Sequence, residues 1–264
     1  MIINVRDYVA AEQNFLMTHL KEWGQKPSLL IIQVGDNPAS NAYIKGKMKD
    51  CEKVGIECRL EKHNEDWYCD ENNLDLLQTI IFQFDGVIIQ LPIENQTIKE
   101  EIYDMILPSQ DVDGLIYGRH KQCTPLGIIT LLKKHLKVDL AGKVVTVLGK
   151  GELVGKPLIQ MLMEEGATVI SCNSKTKNLK QWTQAADIVI GATGVPRLVT
   201  DEMISDGTIV IDAGIGFVDG KMYGDCCDDL YDRERVQVTS VPGGVGLLTR
   251  LTLLQNTVDA AEER

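Results

Sequence analysis

The chain has 264 residues, a formal net charge of −11, 44% hydrophobic and 25% charged side chains. That length carries one large or two medium domains with a sizeable core. The acidic balance argues against nucleic acid as a partner, which would need clustered Lys and Arg.

The opening "MIINVRDYVAAEQNF" lacks a basic region followed by an apolar one, so no secretory signal is read there. No stretch approaches the ~20 apolar residues that span a bilayer, and no membrane partner is expected. "SLLIIQVG" (28–35) reads as a buried strand and "ASNAYIKGKMKDCEKVG" (39–55) as a helix ending near Gly55. "GIECRLEKHN" is a second strand, "ENNLDLLQTIIFQ" a helix, "DGVIIQLP" (85–92) a third strand and "TIKEEIYDMIL" a helix. This βαβαβ rhythm predicts a parallel sheet covered by helices. "DVDGLIYGRHKQCTP" (111–125) breaks the rhythm, being polar and rich in turn residues, and marks a domain change. "LGIITLLKKHL" is a linking helix. A second series follows in "KVVTVLG", "ATVISCN", "ADIVIGATG" and "GTIVIDAGIG", and "VPGGVGLLTRLTLLQNTVDAAEE" closes the chain with a glycine turn and a long helix. The expected fold is therefore α/β and two-lobed.

Seven cysteines, at 51, 58, 69, 123, 172, 226 and 227, show no CxxC metal spacing. An odd number without a framework pattern reads as reduced thiols in a cytoplasm. His19, His63, His120 and His135 are scattered, so no metal site is expected.

The chemistry concentrates at "GKGELVGKP", which begins at Gly149. A strand precedes it, a helix follows it and a second strand comes after, the context of a turn that cradles a pyrophosphate. The spacing is Gly-x-Gly-x-x-x-Gly rather than the usual Gly-x-Gly-x-x-Gly. An Asp or Glu at the end of the next strand would hold the ribose of NAD. Here stand Asn173, Ser174, Lys175 and Thr176, with Lys150 in the loop itself. Donors and positive charge without a carboxylate favour NADP over NAD. The turns "GATGVP" (191–196), "DAGIG" (212–216) and "VPGGVG" (241–246) place further glycines at strand ends, where ligands bind in open α/β sheets. In the first lobe Ser40, Tyr43 and Lys47 fall at i, i+3 and i+7 and share one helix face. Gly46 beside Lys47 lowers helix propensity there, as suits a close approach. Gln90 ends a strand, and Asp111 and Asp113 sit in a turn.

In chain order these motifs resemble the bifunctional methylenetetrahydrofolate dehydrogenase/methenyltetrahydrofolate cyclohydrolase family. The resemblance covers nearly the whole chain through "VGDNPASNAYIKGKMKDCEKVGI", "DGVIIQLP", "DVDGL", "CTPLGIITLL", "GKGELVGKP", "TIVIDAGI" and "VPGGVG". It implies an amino-terminal folate-binding catalytic domain over 1–120, completed by a carboxy-terminal helix at 247–264, and a Rossmann-type NAD(P)-binding domain over 121–246, with a reduced folate in the cleft between them. It implies Lys47 as the catalytic lysine, Tyr43 stacking on the folate ring, Gln90 tuning the lysine and Asp113 holding the pterin. Ser40, Leu91, Pro242, Gly243 and Gly244 complete the implied substrate contacts. The implied cofactor contacts are Thr124, Gly149, Lys150, Gly151, Val154, Asn173, Ser174, Ala192, Thr193, Gly194, Gly214 and Ile215. The implied reaction oxidises 5,10-methylenetetrahydrofolate to the methenyl form with NADP, then hydrolyses it to 10-formyltetrahydrofolate. Proton transfer by Lys47 asks for a partner that does not hold its proton in place, as an uncharged glutamine permits and a carboxylate would not. The family's homodimer, through its cofactor lobes, and its place in purine biosynthesis are implied likewise.

The chain departs from the family pattern in four places. The amino terminus lacks the Asp-Gly-Lys type segment, and the loop after "DVDG" is short. Leu247-Leu248 replaces Pro-Met after "PGGVG". Asn173 stands where a His or Arg is frequent, which keeps NAD as the alternative cofactor. A dehydrogenase with weak or absent cyclohydrolase activity is the alternative function.

Overall fold

The structure, a computed structural model, describes residues 1–116 and 119–264; Tyr117 and Gly118, in the loop expected to mark the domain change, lie outside the described residues. In chain order the regular elements are α1 (Val5–Trp23), β1 (Ser28–Val34), α2 (Pro38–Val54), β2 (Glu57–His63), α3 (Glu65–Tyr68), α4 (Glu71–Ile81), β3 (Gly86–Ile89) and α5 (Gln96–Met105). There follow α6 (Cys123–Thr130), β4 (Val144–Leu148), α7 (Gly155–Glu164), β5 (Thr168–Cys172), α8 (Leu179–Gln184), β6 (Ile188–Gly191), β7 (Ile209–Asp212), β8 (Gly216–Val218), β9 (Lys221–Tyr223), β10 (Gln237–Val238) and α9 (Val245–Glu262).

The chain divides into two compact units, one of Met1–Ala10 with Thr124–Thr249 and one of Ala11–Cys123 with Arg250–Arg264. This differs from boundaries drawn at 1–120, 121–246 and 247–264. The first ten residues join the later half of the chain for a definite reason. Ile2 forms a parallel bridge to Val238, and the Ile3 N–H donates to the Val238 carbonyl at 2.8 Å. The amino-terminal ammonium donates to the carbonyls of Arg233 and Val236, both at 2.6 Å. The start of the chain thus caps the short β10.

The unit of Ala11–Cys123 with Arg250–Arg264 carries a fully parallel sheet in the order β2-β1-β3. Its central strand is buried throughout apart from its first residue and apolar from Leu29 to Ile32, as suits a covered parallel strand. Leu30, Ile32, Tyr68, Leu77, Ile81, Val87, Ile89 and Ile102 meet in its core. Helix α2 starts where Asn37 accepts from the Ala39 and Ser40 N–H groups at 2.9 and 3.1 Å and Pro38 follows at the first turn. It ends at Gly55, whose φ of +98° is the left-handed stop that glycine supplies.

In the other unit the sheet order is β10-β7-β6-β4-β5, again all parallel. Numbered within this unit the order is 2-1-3-4-5, a doubly wound sheet whose order reverses between β4 and β6. The linking helix begins earlier than expected and finishes in a π-helical turn at Leu131–His135, closed by the Leu136 N–H on the Leu131 carbonyl. Among the described residues no helix is long and apolar enough to cross a membrane.

Candidate active site

Helix α2 lays Ser40 and Lys47 on its inner face, where they are 4% and 8% exposed, with Tyr43 half-buried between them. The Lys47 Nζ donates to the Gln90 Oε1 at 3.1 Å. Gln90 follows β3, and its side-chain amide donates to the Leu91 carbonyl at 2.8 Å. That second contact fixes which end of the amide faces the lysine. The Ser40 hydroxyl donates to the same Leu91 carbonyl at 3.4 Å, so Ser40, Lys47, Gln90 and Leu91 form one connected group.

Gly46 finds its reason in this group. A Cβ there would stand 2.2 Å from the Arg250 Nη1. The guanidinium crosses α2 at that point and pairs with Asp50 at 2.8 Å. Burial raises the Tyr43 phenol above its ordinary value, with the Arg250 charge pulling the other way.

Asp111 and Asp113 divide the loop's work between them. Asp111 is buried, and its carboxylate accepts the N–H groups of Gly114 at 3.0 Å and Ile116 at 2.6 Å. Desolvation still raises it, backbone donors opposing. The Asp111 carboxylate therefore forms the turn; Asp113 is half-buried, and its carbonyl accepts the Cys123 N–H at 3.3 Å. The fully buried Cys123 thiol feels the charges of Asp113, Lys47 and Asp111, which puts these side chains in one neighbourhood. Asn256 closes the loop from α9, its amide donating to the carbonyls of Val112 at 2.9 Å and Lys121 at 3.3 Å.

In the doubly wound unit Gly149 follows β4 with φ +104°, and a Cβ on it would meet the Ala192 carbonyl oxygen at 2.2 Å. The β4 and β6 loops therefore touch backbone to backbone at the point where the strand order reverses, the place where open α/β sheets bind ligands. A Cβ on Gly155 would meet the Gly149 oxygen at 2.2 Å, whereas one on Gly151 would meet nothing within 4 Å. Two glycines of the off-pattern motif thus serve the turn, and the middle one leaves open space. Val154 is the residue before α7 and gives the helix no side-chain cap; the Lys156 N–H donates to the Gly151 carbonyl at 3.0 Å and the Leu158 N–H to that of Val154 at 3.0 Å.

At the end of β5 the Asn173 Oδ1 accepts the Lys175 N–H at 3.0 Å, forming a local turn. Ser174 and Lys175 are exposed beside it. Lys150 is exposed, and its charge acts on the Cys172 thiol at the end of this strand. Open space at Gly151, an uncapped helix start and an ammonium near exposed donors fit a dinucleotide carrying a 2′-phosphate.

The loops that follow β6 and β7 are held by two fully buried carboxylates. The Asp225 Oδ2 accepts the Thr193 N–H at 2.6 Å. The Asp212 Oδ1 accepts the N–H groups of Asp225 at 2.9 Å and Gly214 at 3.2 Å, and its Oδ2 that of Cys226 at 2.9 Å. Burial raises both acids above their ordinary values, backbone donors opposing. Gly194 lies against the Ile215 carbonyl, and the Ile215 side chain is exposed. Pro242 is exposed, and Gly243 has φ +101° with Arg6 beside it. Gly244 is buried against the Ser240 carbonyl. The hydroxyls of Thr124 and Thr249 share a hydrogen bond at 2.8 Å. Of the Leu pair that departs from the family pattern, Leu248 is buried in its helix and Leu247 is half-buried.

Residues 4–113 match the catalytic-domain model of tetrahydrofolate dehydrogenase/cyclohydrolase, and residues 122–264 match the model of its NAD(P)-binding domain. The chain belongs to the tetrahydrofolate dehydrogenase/cyclohydrolase family. It is 38% identical over 259 residues to the "Bifunctional protein FolD" of Hydrogenobaculum sp., covering 93% of this chain and 92% of that one. The crystal structure of the bifunctional FolD dehydrogenase/cyclohydrolase from Campylobacter jejuni superposes with a TM-score of 0.89 at 35% identity, covering 100% of this chain and 99% of the other. The Trypanosoma brucei FolD, solved with NADP and an inhibitor, gives 0.88 at 28% identity, covering 100% and 97%. The chain is thus an oxidoreductase and hydrolase of tetrahydrofolate one-carbon metabolism with an NAD(P)-binding domain. It oxidises 5,10-methylenetetrahydrofolate to the methenyl form and hydrolyses that to 10-formyltetrahydrofolate.

Four residues escaped the sequence reading. Arg250 and Asn256 lie on a helix whose composition marks it only as apolar, and Asp212 and Asp225 are 13 positions apart. The one available signal was the run of buried-strand residues leading into Asp212, since an acid at the end of an apolar strand needs a partner.

Proposed function

We propose that Lys47 is the proton-transfer group of the cyclohydrolase step, with Gln90 as its positioning partner. The observation that carries this is the 3.1 Å contact from the Lys47 Nζ to the Gln90 Oε1, made by a lysine only 8% exposed. An uncharged amide partner lets the lysine exchange its proton, as a carboxylate would not. The amine can then take a proton from the water that attacks the methenyl carbon. It can return one to the folate nitrogen as the carbon–nitrogen bond breaks and the ring opens. The Leu91 carbonyl, which also accepts from the Ser40 hydroxyl, holds the Gln90 amide with its oxygen toward the lysine. Tyr43 offers its half-buried ring to the flat pterin, and Asp113 offers an acceptor to the pterin's donors. Pro242, Gly243, Gly244 and Leu91 belong to the same proposal as substrate contacts.

For the dehydrogenase step, the nicotinamide supplies a hydride acceptor when bound. The protein's part is placement. Gly151 leaves room for the pyrophosphate beside the turn that Gly149 and Val154 shape, and Lys150, Asn173 and Ser174 surround the 2′-phosphate position. Ala192, Thr193, Gly194, Gly214 and Ile215 line the nicotinamide end, with Asp212 and Asp225 setting the backbone there, and Thr124 completes the set. The proposal extends to a homodimer in the cytoplasm serving purine biosynthesis, supported by the family resemblance and by seven free cysteines. Sedimentation of the purified chain tests the dimer.

The deciding experiment is Lys47→Met. Methenyltetrahydrofolate hydrolysis is expected to vanish while the thermal midpoint and NADP binding persist. A folded variant that still hydrolyses at the parent rate overturns the assignment.

A further inference from the structure

We propose that Arg250 binds a carboxylate of the substrate's glutamyl tail, which makes it a specificity-determining residue of the folate reaction. Helix α2 prepares the place. At about 100° per residue, Lys47, Tyr43, Asp50 and Gly46 follow one another round the helix. Lys47 is buried and the other three are half-buried, so this stripe runs from the interior outward. Arg250 reaches it from α9, within the same compact unit. The Arg250 Nη1 stands where a Cβ on residue 46 would be, so a side chain there would push the guanidinium off the helix. Its charge also acts on the Tyr43 phenol, which puts the ring and the cation side by side.

The donors of this guanidinium are unspent. The Asp50 Oδ2 lies 2.8 Å from the Arg250 Nε, yet that Nε is buried without a hydrogen bond. Asp50 therefore stands off the N–H direction and supplies charge without taking the donor. Among the described residues the guanidinium makes this ion pair and no hydrogen bond. The Arg250 side chain is 25% exposed, and its Nε is the buried end, so the Nη edge is the one a ligand can reach. A planar fork of N–H groups, held on a helix with its hydrogen bonds unmade, suits a carboxylate bound at two points.

The substrate carries such a group. A methylenetetrahydrofolate is a flat pterin bearing the reacting carbon, then a benzoyl ring, then a glutamate with its carboxylates. With the reacting carbon at Lys47 and the ring system on Tyr43, the next positions round α2 are Asp50 and Gly46, the two that the guanidinium covers. Asp50 opposes a second anion there, so the affinity for the tail is set by the balance of the two charges. The pair therefore acts with opposite signs: loss of Arg250 weakens the tail's hold, and loss of the Asp50 charge tightens it. An ion pair that only fastened α9 to α2 would give both losses the same sign.

The direction of the tail rests on the roles given above to Lys47 and Tyr43. The full-length protein is assayed for NADP reduction with 5,10-methylenetetrahydrofolate and with 5,10-methylenetetrahydropteroate, which lacks the glutamate. On the parent protein the glutamate-free substrate is expected to show a KM roughly tenfold higher, with kcat within about twofold. Arg250→Leu should raise the KM for the glutamate-bearing substrate by about the same factor and close the gap between the two. Asp50→Asn should lower the KM for the glutamate-bearing substrate. Equal KM values on the parent protein refute the proposal, and that comparison depends on no variant folding. A gap that survives Arg250→Leu, or a KM raised by Asp50→Asn, refutes Arg250 as the partner of the carboxylate. Tyr43→Ala tests the underlying reading separately and should raise both KM values together. An unchanged KM for the glutamate-free substrate in that variant refutes the role of Tyr43, a failure distinct from a missing gap.

Discussion

Replacing Gln90 by Glu puts a carboxylate where a neutral amide now meets the Lys47 Nζ at 3.1 Å, with almost no change of shape. At that separation and an effective dielectric of about 20, an ion pair is worth about 5 kcal/mol. Desolvating the new carboxylate takes back part of this. A net of about 3 kcal/mol in favour of the ammonium lowers the neutral-amine fraction at fixed pH by about 100-fold. If Lys47 works as a neutral amine, methenyltetrahydrofolate hydrolysis near neutral pH should fall by about that factor. The sign is diagnostic: the lost rate should return as pH rises, because the amine then gives up its proton despite its partner. The assay follows loss of the methenyl absorbance across a pH series, with NADP reduction by methylenetetrahydrofolate measured on the same samples. The dehydrogenase rate should change much less. Parent-level hydrolysis at neutral pH, or a loss that does not recover at high pH, refutes the reasoning.

The glycine loop offers a paired test. Gly155→Ala drives a Cβ into the Gly149 carbonyl oxygen at 2.2 Å, backbone that cannot swing aside, so a stability loss of about 2 kcal/mol or more is expected in a denaturant melt. Gly151→Ala meets nothing within 4 Å and should melt like the parent while its KM for NADP rises; an unchanged KM refutes the ligand role of that space. Asp225→Ala removes the acceptor of the Thr193 N–H and should cost about 2–3 kcal/mol, raising the KM for NADP more than it lowers kcat. Asp225 also predicts a pH dependence. Its folded-state value is raised above 3.8, so the folded chain binds this proton more readily than the unfolded one. Its contribution therefore improves as pH falls through that raised value. The thermal midpoint of the parent should gain on that of Asp225→Asn as pH is lowered from neutral, and a gap that narrows refutes the assignment.

Much of this was open to inspection in the chain itself. Apolar runs bounded by turns, such as 28–34 and 144–148, declare buried strands because both faces of a parallel sheet are covered. The stop of α2 at Gly55 and its start at Asn37-Pro38 are local chemistry. The spacing that places Ser40, Tyr43 and Lys47 on one face follows from the helical repeat alone. Gln90 was visible as a polar residue at a strand's end. What local patterns do not carry is sequence separation. The Lys47–Gln90 contact spans 43 positions, and the Asp50–Arg250 ion pair that makes Gly46 necessary joins residues far apart in the chain. The strand order of the doubly wound sheet, which brings Gly149 against Ala192, depends on which crossovers pack together. Membership of the first ten residues in that unit depends on β10 having a free edge.

The sequence by itself therefore determined the elements, the α/β class, the glycine loop and the chemistry-bearing helix face, since each is written in residues a few positions apart. Only the tertiary structure decided which glycines serve the turn and which leave room. It alone showed that the Asp111 carboxylate binds the loop's Gly114 and Ile116 N–H groups. Those outcomes depend on which side chains are forced together when the sheets close over their cores, and no local repeat encodes that.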